Sequence, residues 1–79
     1  MESKEKLLLM IINGYNGITD NLSVSFELGR SRKKTSGVAH KLEDIGCIEI
    51  YNSNDGLHGK IYKVCEGAIE KLNKQIISK

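Results

Sequence analysis

The sequence contains no proline, no tryptophan, one phenylalanine and only two cysteines among its 79 residues. Cys47 and Cys65 are too few for a disulfide-stabilised scaffold, and no CxxC pair or histidine cluster suits a metal ion. The longest apolar run, residues 7–12, is far shorter than the ~20 residues that span a bilayer. No secretory signal pattern is present. We therefore expect one intracellular domain, residues 1–79, without a membrane segment, metal or cofactor.

Catalytic arrangements are missing as well. The sequence shows no nucleophile beside a plausible base, no paired carboxylates on one predicted face and no glycine-rich phosphate loop. It therefore predicts a protein that is not an enzyme.

Acidic residues are absent from residues 29–41, although the net charge of the whole chain is only +2. The segments on either side, residues 1–28 and 42–59, are both net negative. A local concentration of positive charge indicates a nucleic acid or another polyanion as partner. The basic residues of this segment are Arg30, Arg32, Lys33, Lys34 and Lys41.

Capping residues and glycines predict three helices in the first half, over residues 4–13, 20–28 and 32–45. Each helix is expected to end at a left-handed glycine, namely Gly14, Gly29 and Gly46. Each is expected to start after an N-cap, namely Ser3, Thr19 and Ser31.

The first helix is apolar over so wide a face, residues 7–12, that we expect burial on more than one side. The second helix is the less distinct pattern, because its apolar residues alternate as they do in a strand. The same apolar residues also form i, i+4 pairs. A threonine before the segment and a glycine after it, which are typical of the two ends of a helix, favour a helix here. These apolar residues are Leu22, Val24, Phe26 and Leu28.

The third helix separates apolar from polar residues. Its expected buried side consists of Thr35, Val38, Ala39, Leu42 and Ile45. Its polar side consists of Lys33, Ser36, Gly37, His40, Lys41 and Asp44. A glycine inside a helix costs about 1 kcal/mol relative to alanine. Close approach of another backbone is one reason to keep it there.

The segments "CIEIYN" and "KIYKVC" alternate on either side of a glycine-rich loop, which predicts a β-hairpin. Pairing Ile48 with Val64 places the apolar residues on one face and Glu49 opposite Lys63 on the other. A two-residue turn would move side chains to the wrong face, so we expect a longer loop. This register sets the two cysteines opposite each other, but an intracellular location disfavours a disulfide.

A last helix is predicted over residues 66–79. Its apolar stripe contains Ile69, Leu72 and Ile76, extended by Ala68 and Cys65.

Three helices, a two-stranded hairpin and a C-terminal helix make an α+β order that resembles the winged helix-turn-helix domain. That domain occurs in small prokaryotic, archaeal and viral transcription regulators. The most specific similarity lies in "LGRSRKKTSGVAHKLEDIGCIEI", residues 28–50. The matching residues are Leu28, Gly29, Ser31, Ser36, Leu42, Glu43, Gly46 and Ile48.

Some positions depart from the pattern of that domain. Valine is usual at Thr35, a larger aliphatic residue is usual at Ala39, and Gly37 is uncommon in such a helix. Residues 64–67 only partly match the sequence motif that usually precedes the last helix of that domain. These departures leave the subfamily and any ligand open.

The resemblance implies double-stranded DNA as the partner. Residues 32–45 would be the recognition helix in the major groove, and residues 53–59 would be the wing, on the DNA backbone or in the minor groove. Arg30 and Lys34 would contact phosphate, whereas Arg32, Lys33 and residues on the exposed face would reach base edges. The candidate DNA-binding residues are Arg30, Ser31, Arg32, Lys33, Lys34, Ser36, Gly37, His40, Lys41, His58 and Lys60.

The resemblance also implies a sequence-specific regulator in the cytoplasm, associated with the nucleoid. We expect a homodimer through the first and last helices, because a short chain gains burial by pairing. No small-molecule effector is evident from the sequence. Two alternatives remain open: an adaptor for plasmid or phage partition, and an interaction module that binds an acidic partner or RNA instead of DNA.

Overall fold

The computed structural model describes residues 3–53 and 59–77, which form four helices and a three-stranded antiparallel sheet. The helices are α1 Ser3–Gly14, α2 Asn21–Leu28, α3 Arg32–Asp44 and α4 Ala68–Ile77. The strands are β1 Ile18–Asp20, β2 Ile48–Tyr51 and β3 Ile61–Val64, in the order β1-β3-β2. The predicted α+β order of three helices, a hairpin and a final helix is confirmed.

The predicted register of the hairpin is also confirmed. Ile48 pairs with Val64, and Glu49 pairs with Lys63. Ile48 and Tyr62 are buried in the core, whereas Glu49 and Lys63 are exposed. The pairing therefore turns the apolar residues toward the helices, as burial requires. Of the predicted loop at the tip of the hairpin, residues 53–59, residues 54–58 lie outside the described residues.

The strand β1 was not predicted, and it changes the start of α2. Thr19, the predicted N-cap, lies in the strand opposite Tyr62. The N-cap is Asp20, whose Oδ1 accepts a hydrogen bond from the Ser23 N–H at 2.8 Å. A three-residue strand offers too few alternating positions for a sequence pattern to reveal it. Pairing with β3 forms it instead.

The end of α1 also differs from the prediction. Gly14 remains helical, and the left-handed residues are Asn16 and Gly17, with φ of 64° and 88°. The Gly17 N–H donates to the Ile12 carbonyl at 3.1 Å, and the Gly17 carbonyl accepts from the Val64 N–H at 2.8 Å. Gly17 thus closes the helix and begins the pairing with β3, and Gly14 does neither.

The core lies where α1, α2 and α3 meet the inner face of the sheet. Contrary to the prediction, α1 is not buried on more than one side: Leu7 and Met10 are 48% and 54% exposed. Phe26 of α2 is 86% exposed. The buried apolar residues are Leu8, Leu9, Ile12, Val24, Val38, Ala39, Leu42, Cys47, Ile48, Tyr62, Ala68 and Leu72.

The last helix begins later than predicted, at Ala68, because Gly67 adopts a left-handed φ of 75° that interrupts helical geometry. Ala68 and Leu72 are buried as expected, whereas Ile69 is exposed. The side chain of Ile76 lies outside the described part of the chain.

Candidate nucleic-acid interface

A short turn, residues 29–31, joins α2 to α3 and sets the position of the basic residues at the start of α3. Gly29 has a φ of 66°, and its N–H donates to the Phe26 carbonyl at 3.3 Å. The Arg30 N–H donates to the Ser25 carbonyl at 3.2 Å. These bonds satisfy carbonyls at the end of α2, and the left-handed glycine makes them geometrically available. The prediction that Gly29 ends α2 is confirmed, and the turn delivers Ser31 to the start of α3.

Ser31 caps α3, as predicted. Its Oγ accepts a hydrogen bond from the Lys34 N–H at 3.1 Å, and its carbonyl accepts one from the Thr35 hydroxyl at 3.0 Å. Thr35 is fully buried, so this bond satisfies its hydroxyl and accounts for a threonine where similar domains have valine. The two bonds hold the first turn of α3, which presents the cations.

Most of the polar side of α3 is exposed and most of its apolar side is buried, as predicted, but Ile45, which was predicted to be buried, is only half-buried. Thr35, Val38, Ala39 and Leu42 are the buried residues of α3. Ser36 is half-buried. His40 Nδ1 lies 3.3 Å from Glu43 Oε1 one turn later. The exposed candidates on this helix are Arg32, Lys33, Lys34, Gly37, His40 and Lys41.

Arg32 is hydrogen-bonded to a buried side chain of another helix. Its Nε donates to Asn21 Oδ1 at 3.1 Å. Asn21 Nδ2 donates to the Arg32 carbonyl at 3.2 Å and to the Tyr62 hydroxyl at 2.8 Å. Burial raises the pKa of Tyr62, while the hydrogen bond from Asn21 opposes that rise. Asn21 therefore joins the start of α2, the start of α3 and the central strand.

Arg32 and Asn21 also lie close to Gly59, at the base of the wing. A Cβ added to Gly59 would lie 2.6 Å from Arg32 Nη2 and 3.3 Å from Asn21 Cβ. Gly59 also has a φ of 77°, which favours glycine. The absence of a side chain at Gly59 lets the hairpin lie directly against the Arg32 guanidinium. The structure thus places this guanidinium at the junction of α2, α3 and the wing.

Sequence reasoning missed Asn21 and Tyr62 as parts of this site. In the sequence, Asn21 has the pattern of an ordinary polar residue of α2, and Tyr62 has the pattern of a core residue of the hairpin. Arg32 and Tyr62 lie 11 and 41 residues from Asn21 along the chain. No local pattern connects residues at such separations.

The structure brings only some of the predicted residues together. Arg30, Lys34 and Lys41 line one cleft between α1 and α3. Lys60 lies at the base of the wing, where its amine donates to the Asn52 side chain. His58 lies outside the described residues.

Other kinds of site find no support in the described structure. Within residues 3–53 and 59–77, no group of three or more acidic, histidine or cysteine side chains could hold a metal ion. In the same residues, no helix combines the length and the apolar character that crossing a bilayer requires.

Solved structures share this fold at low sequence identity. A MepR-like protein complexed with pseudoligands has a TM-score of 0.77 and 13% identity, over 100% of this chain and 55% of that protein. The organohalide-sensing transcriptional regulator RdhR, in its 2,4-dichlorophenol-bound form, has a TM-score of 0.75 and 16% identity, over 96% and 45%. ZitR from Lactococcus lactis, a zinc-responsive MarR family member, has a TM-score of 0.73 and 17% identity, over 96% and 51%.

These similarities confirm the winged helix-turn-helix fold. This chain spans about half the length of each of those three proteins. No protein-family model matches the sequence, and no curated protein matches it.

Proposed function

We propose that this chain is a non-enzymatic, sequence-specific double-stranded DNA-binding protein and acts as a small transcription regulator in the cytoplasm, on the nucleoid. The observation that carries the proposal is the capped start of α3, where Lys33 and Lys34 are exposed and no acidic residue shares the first turn. The similar fold of RdhR, a transcriptional regulator, supports it. In this fold the third helix enters the major groove and the wing, residues 53–59, follows the backbone or minor groove.

The charge at the start of α3 is unfavourable in the absence of a polyanion. The first turn of a helix carries unpaired N–H groups and a partial positive charge, so each added cation costs about 0.3–1 kcal/mol at low salt. A DNA phosphate would relieve this cost, because it accepts hydrogen bonds from those N–H groups and neutralises the cations. The segment is therefore better suited to bound DNA than to the free protein.

The candidate residues divide into three roles. Arg30 and Lys34 contact backbone phosphates, together with Lys41 and the wing residues His58 and Lys60. Ser31 caps the helix, and Arg32 positions α3 against the wing through Asn21 and Gly59. The residues that face base edges are Lys33, Ser36, Gly37 and His40.

Titration of double-stranded DNA at several salt concentrations tests the proposal. We expect log K to fall linearly with log salt, with a slope of about −0.9 for each phosphate contact. We also expect a selected site to bind more tightly than random DNA. No measurable DNA binding at low salt, together with binding to an acidic protein or RNA, would replace this function with that of an interaction module.

We also propose that the protein acts as a homodimer through α1 and α4, the first and last helices. Leu7 and Met10 line an apolar groove on α1 together with Ile11 and Tyr15. Phe26 is exposed beside Glu27, which lines the same groove. Two-fold pairing would set two α3 helices on half-sites about one DNA turn apart.

Met10→Glu should convert the dimer to a monomer, because it places a charge in the apolar groove. Sedimentation velocity with and without DNA measures the change. Asn13→Glu is the control, because it adds the same charge at an exposed position of α1 that does not line the groove. A parent protein that sediments only as an 8.8 kDa species at tens of micromolar, with or without DNA, refutes the dimer.

Gly37→Ala should raise the free energy of unfolding by up to ~1 kcal/mol, since alanine is the better helix former. In the described structure, a Cβ at Gly37 meets no atom within 4 Å beyond its own helix backbone and chain neighbours. The fold itself therefore does not require this glycine. If the α3 backbone approaches DNA closely there, the variant will bind DNA more weakly while being more stable.

Urea unfolding and DNA titration on the same Gly37→Ala preparation measure both effects. Asn73→Ala, at an exposed position of α4, is a control that raises helix propensity away from α3. Unchanged DNA affinity in Gly37→Ala would place its backbone away from the duplex.

A further inference from the structure

A cleft of about 350 Å³ lies between the start of α1 and the polar side of α3. Its walls carry four cations and one acid, which is Glu5. Such an excess of positive charge suits an anionic ligand. The cations are Lys4, Arg30, Lys34 and Lys41.

Glu5 is the unusual member of this cleft. Its side chain is only 7% exposed, and its Oε2 lies 3.9 Å from Lys41 Nζ. Its other oxygen, Oε1, is buried and has no hydrogen-bond partner among the described residues. Buried carboxylate oxygens are normally hydrogen-bonded, because leaving one unpaired is costly. Glu5 lines the cleft, so a bound molecule that donates a hydrogen bond to this carboxylate would compensate for the missing partner.

The two requirements identify the chemistry of that molecule. It must bring negative charge to the lysines and arginine, and it must bring a donor to Glu5. A phosphate group that retains one proton does both, because its P–O–H donates and its remaining oxygens accept. Sulfate and phosphodiesters carry no such proton, so they would set an oxygen against the Glu5 carboxylate.

We propose that the cleft binds the monoprotonated phosphate of a small phosphomonoester, for which inorganic phosphate is the minimal probe. Its volume is within the range of about 300–1,000 Å³ that is typical of small-molecule sites. Glu5 selects the protonated phosphate. Its negative charge is neutralised by the four cations of the cleft, which are Lys4, Arg30, Lys34 and Lys41.

The site provides a means of regulation, a step that rests on the proposed function. Arg30, Lys34 and Lys41 are the residues that we assign to DNA phosphates. A phosphomonoester in the cleft engages the same cations, so it lowers the affinity for DNA. The sequence alone indicated no effector, because Glu5 and Lys41 lie on different helices and are 36 positions apart.

Isothermal titration of the free protein tests the site without DNA. The probes are inorganic phosphate, phenyl phosphate, sulfate and dimethyl phosphate at equal ionic strength and pH 6, where a phosphomonoester with a second pKa of about 6 is half protonated. We expect both protonated phosphates to bind at least about tenfold more tightly than sulfate or dimethyl phosphate, as the loss of one charge-assisted hydrogen bond implies.

Glu5→Gln supplies an amide N–H in place of the carboxylate, so the ratio of phosphate to sulfate affinity should fall to within about threefold. Glu43→Gln is the matched control, because it removes an exposed acid of α3 that does not line the cleft, and it should keep the parent ratio. Lys41→Gln should weaken phosphate binding. Circular dichroism verifies that each variant is folded.

Equal affinity for phosphate and sulfate in the parent protein overturns the proposal, and this result needs no variant. A phosphate preference that persists in folded Glu5→Gln also overturns it. Loss of DNA binding with the phosphate preference intact would refute only the proposed function. In DNA titrations at equal ionic strength, phosphate should weaken binding more than sulfate does, and an equal effect would refute the regulatory step.

Discussion

Replacing Lys33 and Lys34 together by alanine is expected to lower the affinity for a specific DNA site by at least about 30-fold near 0.1 M salt. Both side chains are exposed on the first turn of α3, whose geometry depends on the Ser31 cap and not on these lysines. Stability should therefore change by less than about 0.5 kcal/mol, as is usual for surface positions. The loss should appear in binding alone.

The two single variants separate positioning from recognition. Lys34→Ala should weaken binding to all sequences alike and make the salt slope shallower by about 0.9, which corresponds to one phosphate contact. Lys33→Ala should also remove about 1–3 kcal/mol of discrimination if its amine binds guanine. Fluorescence anisotropy against specific and random duplexes measures both effects.

Lys63→Ala is the matched control, because this lysine is exposed on the outer face of the sheet, opposite Glu49. It should leave the affinity and the salt slope close to those of the parent. Parent-like binding by alanine variants of Lys33, Lys34, Arg30 and Arg32 would show that the start of α3 is only a solvated surface. The interaction-module alternative would then be preferred.

Asn21→Ala is expected to lower the free energy of unfolding by about 1–3 kcal/mol, because it removes several hydrogen bonds at a buried position. The Tyr62 hydroxyl and the Arg32 Nε both lose their hydrogen bond to Asn21. Asn21 itself is only 5% exposed, so water does not readily replace its amide. Urea unfolding followed by circular dichroism measures the loss.

The same variant should weaken DNA binding, although we assign Asn21 no contact with DNA. Freed from Asn21, the Arg32 side chain no longer holds the start of α3 against the base of the wing at Gly59. Tyr62→Phe separates the two effects, because it removes the hydrogen bonds of the Tyr62 hydroxyl to Asn21 and Ser36 and leaves the bond between Arg32 and Asn21. It should destabilise the fold with little change in DNA affinity.

Asn13→Ala, an exposed asparagine of α1, should change stability by less than about 0.5 kcal/mol. If Asn21→Ala is as stable as this control, the Asn21 hydrogen bonds contribute nothing net to the fold. If Asn21→Ala is destabilised but binds DNA like the parent, Arg32 does not position α3 for DNA.

Features that depend on neighbouring residues could be predicted from the sequence. Ser31 caps α3 and Gly29 ends α2, because each acts on backbone groups within one helical turn. The pairing of Ile48 with Val64 followed from alternation, since a slip of one residue would expose the apolar side chains. The basic surface of α3 was evident for the same reason: charge and helical periodicity are local properties.

Features that depend on distant partners were decided only by the tertiary structure. β1 exists because β3 supplies its hydrogen bonds, and that pairing moves the cap of α2 from Thr19 to Asp20. Gly17 replaces Gly14 as the left-handed residue because the chain must turn toward β3 before it can pair.

The roles of Arg32 and Glu5 show the same limit most clearly. In the sequence, Arg32 is one cation among several, and Glu5 is an ordinary acid in the first turn of α1. Folding sets Arg32 against Asn21 and Gly59, and it buries Glu5 beside Lys41. Burial and the identity of a hydrogen-bond partner depend on which helices pack together, and local sequence patterns do not carry that information.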